Sequence, residues 1–117
     1  MFRTIIRQQA KLGPNFAGHH TIVHIGCGAA TVCPAIIDAR TGKVVFTPEL
    51  GSATALFVFA DSTHVETLNY RRSSRLLVVV GRPNEDESRD GISYFLWDSG
   101  KLRLLRFSPL AEICGNN

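Results

Sequence analysis

A chain of 117 residues that is 44% hydrophobic and 20% charged holds enough sequence for one ordinary domain and too little for two separate cores. That composition excludes disorder as the dominant state, and its longest apolar runs, Leu76 to Gly81 and Ala55 to Ala60, fall far short of the roughly 20 residues that a membrane-crossing helix needs. Thirteen basic residues, ten of them arginine, against ten acidic ones give a modest formal charge of +3, so electrostatics alone points to no nucleic-acid or membrane partner.

Phe2, Ile5, Ile6 and Ala10 recur at helical spacing, with Arg3, Arg7 and Lys11 four apart on another face, which predicts an amphipathic helix over residues 1–12. Gly13-Pro14 ends it, because proline cannot continue a helix and restricts its predecessor. Residues 13–20 then read as an ordered, non-helical linker in which Asn15 and the backbone bond inside the domain.

From residue 21 to 107 the punctuation is that of β-structure. Thr21 to Gly26, Cys33 to Ala39, Lys43 to Thr47, Thr54 to Ala60, Thr63 to Tyr70, Arg75 to Gly81, Ile92 to Trp97 and Leu102 to Phe107 are short and rich in β-branched, aromatic or leucine residues, as strands are. Asp38 to Lys43 and Asp98 to Lys101 each place a glycine just before the next strand, where a hairpin takes positive φ. The strand around Leu76 to Val80 is apolar on both faces and is expected at the centre of the sheet. Pro83 to Gly91, polar and acidic, is expected to be mobile, and residues 108–117 read as a tail in which Cys114 frays. The expected fold is therefore mainly β: an antiparallel meander or partly closed barrel of six to eight strands, in a single domain with one short N-terminal helix.

Candidate chemistry is densest at Asn15-Phe16-Ala17-Gly18-His19-His20, followed by His24 and Gly26-Cys27-Gly28. Histidine with cysteine suggests zinc, but His20 and His24 on one strand face lie roughly 13 Å apart at about 3.3 Å per residue, and His19 points to the other face. No metal site or cofactor is assigned on that basis. A Cys-His nucleophilic site at Cys27 lacks a third orienting group, and the plainer reading makes Gly26 and Gly28 a bulge around a packed cysteine. The P-loop, GxSxG and GxGxxG patterns do not occur. Basic residues are scattered between Arg3 and Arg106 around an acidic stretch, Glu85-Asp86-Glu87, with local clusters at Arg71-Arg72-Arg75 and Lys101-Arg103-Arg106; nucleic acid is therefore not expected as the main partner.

Three cysteines leave at least one thiol unpaired within the monomer. The five small residues between Cys27 and Cys33 can bring their α-carbons within disulfide reach, so a 27–33 bridge is expected in oxidising conditions, with Cys114 free. The first residues lack the apolar stretch of a secretory signal, which leaves compartment open: cytoplasmic as the chain stands, periplasmic or secreted if a signal has been removed.

The runs GPNFAGHHTIVHIGCG, AIIDARTGKVVF, SRLLVVVG and YFLWDSGKLRLLR, taken in order from Phe2 to Phe107, resemble a group of small bacterial proteins of unknown function, most of which look exported. The resemblance implies a compact, mostly β domain after an N-terminal helix, and no activity. His20 stands where those proteins usually show a tyrosine, and their second cysteine would fall near Thr31, two residues before Cys33.

Without a legible catalytic constellation, the sequence points to a non-catalytic binding or protein-interaction module, with Asn15, His19, His20, His24, Arg71 and Arg72 as candidate binding residues. A thiol- or metal-dependent enzyme using the His19 to Cys27 segment is the alternative, and nucleic-acid binding through the arginine clusters the third reading. An unclosed meander leaves two strand edges, from which a homodimer is expected.

Overall fold

The computed structural model describes residues 3–56 and 66–113. Helix α1 spans Arg3–Ala10, and eight antiparallel strands come after it: β1 His20–Gly28, β2 Thr31–Asp38, β3 Val44–Val45, β4 Ala53–Thr54, β5 Leu68–Asn69, β6 Leu76–Pro83, β7 Gly91–Asp98 and β8 Lys101–Pro109. The sheet runs β1-β2-β4-β6-β7-β8, with β3 paired to β2 and β5 to β6, and does not close into a barrel. Strand β6 is central as expected, carrying β4, β5 and β7 along its length.

The curled sheet encloses a core in which Ile22 and Ile36 of β1 and β2 meet Leu77, Val79, Phe95, Trp97 and Leu102 of β6 to β8. Alternation within β1 puts Val23 and Ile25 on the other face, where with Ala35 and Ile37 they receive Ile5 and Ile6 of α1. The helical spacing of Ile5 and Ile6 is thus explained by a second, smaller apolar layer.

Residues 13–20 supply the anchor. Phe16 is 0% exposed and meets both Tyr70 and Trp97 edge-on, with ring centroids 6.2 and 6.4 Å away. On either side of it the backbone folds back on β1: Asn15 and Phe16 both donate to the His20 carbonyl, at 2.8 and 2.9 Å, and His20 donates to the Phe16 carbonyl at 2.9 Å. Ala17 and Gly18 continue outward by donating to the carbonyls of Ser74 and Arg72.

Two side-chain amides extend this cover along β1. Asn15 accepts from the Ile22 N–H through Oδ1 at 2.8 Å and donates from Nδ2 to the Ile22 carbonyl at 3.4 Å. Gln9, on α1, repeats the pattern at His24, accepting through Oε1 and donating from Nε2, each at 2.8 Å. A primary amide has one acceptor and two donors in one plane, so each occupies the place a neighbouring strand would take. The edge of β1, expected to lie open to another chain, is therefore occupied at His20, Ile22 and His24.

Both glycine hairpins form where expected, with Gly42 at φ 78° and Gly100 at φ 80°, the left-handed region that glycine enters at least cost. The Pro83 to Gly91 connection departs from its expected mobility. Asn84 accepts from the Gly51 N–H at 2.7 Å and donates to the Glu49 carbonyl at 3.0 Å. Asp86 caps a 3-10 turn at Glu87–Arg89, and Arg82 grips Asp90 through two bonds of 2.7 and 2.9 Å. The polar residues that suggested looseness are the ones that fix the loop. Order also continues past Phe107, since β8 runs through Ser108 and Pro109 into a helical turn, α2 Leu110–Ile113; Cys114 lies outside the described residues. The strands expected at Thr54 to Ala60 and Thr63 to Tyr70 are short where described, and their remaining residues, 57–65, also lie outside.

Removing the Asn15 amide leaves the Ile22 N–H without its partner. Asn15→Ala should cost about 1–3 kcal/mol, the usual penalty for an unsatisfied, partly buried group, read as a lowered chemical-denaturation midpoint at unchanged m-value. An unchanged midpoint would show that β1 does not depend on this cover.

Candidate functional site

Two hairpins face each other at one end of the curled sheet. The β2–β3 hairpin brings Asp38, Arg40, Lys43, Val44 and Phe46, and the β7–β8 hairpin brings Ser99, Gly100 and Lys101; between them runs a groove of about 850 Å³. Its floor is formed by Ala17, His20, Ile36 and Trp97, with Arg75 on the side of β6. Turn chemistry sets this arrangement: the two glycine hairpins bend the chain sharply enough to hold their cations at the lips rather than along the strands.

The groove is cationic and partly apolar. Arg40 lies 3.5 Å from Asp38 and Arg75 lies 3.9 Å from Asp98, while Lys43 and Lys101 have no acidic partner among the described residues. Asp38 is held below the ordinary carboxylate range first by the Arg40 backbone N–H, then by its guanidinium, so it stays ionised and tethers Arg40 at the lip. Phe46 and Val44 are 54% and 37% exposed, an uncommon placement for such side chains beside four cations. His20 stacks edge-on to Trp97 at 5.3 Å, closing the floor.

A second hollow of about 490 Å³ lies around His24, Glu66, Asn69, Tyr70 and Arg71. His24 Nε2 and the Tyr70 hydroxyl are 2.6 Å apart. Partial burial pushes the imidazolium down, against a smaller upward pull from Glu66, and burial likewise pushes the Tyr70 hydroxyl up. Both groups are therefore held neutral near pH 7, in a hydrogen bond that ties β1 to the segment after β5. A third cavity, of about 210 Å³, is lined by Glu49, Asn84, Asp86, Arg89 and Ser93.

The six residues singled out by sequence are distributed rather than gathered. His20 reaches the cationic groove; His24 and Arg71 share the smaller hollow. Asn15 is spent on the backbone of Ile22, Arg72 offers its carbonyl to Gly18, and His19 is exposed with its carbonyl accepting from Ala39. No three His, Cys, Asp or Glu side chains converge on a point among the described residues. Sequence reasoning missed Arg40, Lys43 and Phe46, although the Asp-turn-Gly-Lys pattern already carried Lys43, and it named Arg75 and Lys101 only as members of two separate basic clusters.

Cys27 and Cys33 form a disulfide with α-carbons 5.9 Å apart. The ladder shifts register between Gly26 and Gly28, so Cys27 is the extra residue of a bulge and its glycines serve that bend.

Searches of protein-family models, curated proteins and solved structures found no match to the chain.

Two measurements test this geometry. Alkylation of the unreduced protein should leave Cys27 and Cys33 unlabelled and label both after reduction; labelling before reduction would contradict the bridge. His24 should titrate below its ordinary 6.5, because desolvation favours the neutral ring. The stability this brings is present above about pH 6.5 and is lost as pH falls toward the lowered folded value. His24→Gln should flatten that limb of the melting temperature against pH, and identical pH profiles for the two proteins would contradict the desolvated ring.

Proposed function

We propose that the protein is a non-catalytic binding module whose groove takes a segment of another protein bearing carboxylates and apolar side chains. The observation that carries this reading is the coincidence, in one groove of about 850 Å³, of Arg40, Lys43, Arg75 and Lys101 with the exposed Phe46. Interfaces favour arginine and aromatic side chains at their centres, where a buried ring supplies area and a cation supplies direction. Two lysines at opposite lips, with no acidic partner among the described residues, attract carboxylates from a distance, and that attraction weakens with salt beyond a Debye length of about 10 Å at 0.1 M.

The thiol-dependent reading receives less support, since Cys27 in its disulfide has no thiolate to attack with. A phosphate-tracking nucleic-acid surface is also less well supported: the groove's cations sit on two facing lips, two of them beside their own aspartates, rather than along one continuous face.

Trp97 is the chain's single tryptophan and lies in the floor of the groove, so its emission reports occupancy. A short capped peptide alternating glutamate and valine should shift that emission saturably, more weakly as salt rises. Lys43→Glu with Lys101→Glu should weaken binding at least tenfold, about 1.4 kcal/mol, while Arg3→Glu on α1 leaves it unchanged. An equal response to a peptide alternating lysine and valine, or none to either, would overturn the reading.

A further inference from the structure

Resting on that reading, we infer that the acidic segment is bound as an extended strand, through its main chain, alongside β3 in the groove between the β2–β3 and β7–β8 hairpins. The two ends of the sheet are built differently. At β1 the outward backbone groups are taken by Asn15, Phe16 and Gln9. At the groove they are not. Asp38 donates to the Lys43 carbonyl at 2.9 Å, so the neighbouring pair Ile37 and Val44 turn their N–H and C=O groups away from each other, and those of Val44 point off the outer edge of β3. On the opposite lip Trp97 donates to the Arg75 carbonyl at 2.9 Å, away from β8. Its partner Leu102 consequently points its own N–H and C=O off the edge of β8. No described residue pairs with either set, but Leu102 is only 2% exposed, so it is the Val44 groups that open onto the groove.

An extended chain satisfies such groups by adding a strand, the main chain giving affinity and alternate side chains giving specificity. Side chains of an added strand alternate between the sheet's two faces, so one row meets Phe46 and the apolar floor while the other meets the lysines and arginines. The charges also decide between occupants. A second copy of this chain entering the groove would set Arg40, Lys43, Arg75 and Lys101 against the same four cations, and β8 brings Arg103 and Arg106 as well; like charges placed opposite are unfavourable. An acidic strand meets none of that repulsion.

The experiment compares the capped glutamate–valine peptide with two versions methylated on the backbone nitrogens of alternate residues, one set along each edge. Methylation removes N–H donors from one edge and keeps every side chain. At least one methylated version should bind at least tenfold more weakly than the parent, and the parent should slow hydrogen exchange at the Val44 N–H. Equal binding of all three peptides would overturn strand addition while leaving the groove's side-chain recognition intact, whereas failure of the parent peptide would overturn both. A sedimentation mass that doubles without peptide, with Val44 already protected, would assign the groove to a second copy and overturn the acidic occupant.

Discussion

The side chain of Asn15 holds the first strand's open edge, and the placement of Phe16 beside it organises much of the remaining structure. With Asn15 pinned to both backbone groups of Ile22, the next residue is driven into the core between Tyr70 and Trp97. Phe16 thereby joins the β1–β2 layer to the β6–β8 layer at a point where no strand pairs them. The same short segment closes the sheet's edge and seals its interior, which is why a linker of this length can hold polar residues and yet be as ordered as the strands it connects.

The side-chain amides that cover β1 have no equivalent at the edge of β3. Sheet edges invite pairing with any extended chain, and proteins blunt them with charges, prolines or covering elements. Here the amides of Gln9 and Asn15 act as a covering strand on β1. At β3 the outward groups of Val44 meet no partner among the described residues, and on the proposed reading the cations around them discourage pairing between copies while admitting a chain of opposite charge. On that reading, edge protection and selectivity are two uses of one constraint, the need of every buried or bordering N–H and C=O for a partner.

Much of the architecture is legible in the sequence because it rests on local patterns. Ile5 and Ile6 mark the helix, the alternating and β-branched runs mark the antiparallel sheet, and Gly42 and Gly100 mark the hairpins, each through spacing of a few residues. The order of the Pro83 to Gly91 loop is not legible, because it comes from Asn84 reaching Gly51 and Glu49, partners more than thirty residues away that composition cannot reveal. The candidate site is hidden in the same way. His24 is paired with Tyr70 across 46 residues, and Arg40, Lys43, Arg75 and Lys101 converge only when two hairpins distant in sequence are brought face to face. Asn15 read both as a binding candidate in a polar, glycine-rich segment and as a linker residue bonded inside the domain, and its side chain is committed to the backbone of β1.

The contrast between edges can be read directly from amide hydrogen exchange of the unliganded protein, followed by NMR residue by residue. The Ile22 and His24 N–H groups, which point off the first strand but meet Asn15 and Gln9, should be protected like interior strand amides. That of Val44 should exchange as an unbonded group does. Rapid exchange at Ile22 and His24, or protection at Val44 equal to theirs, would contradict the contrast between a covered edge at β1 and an open one at β3.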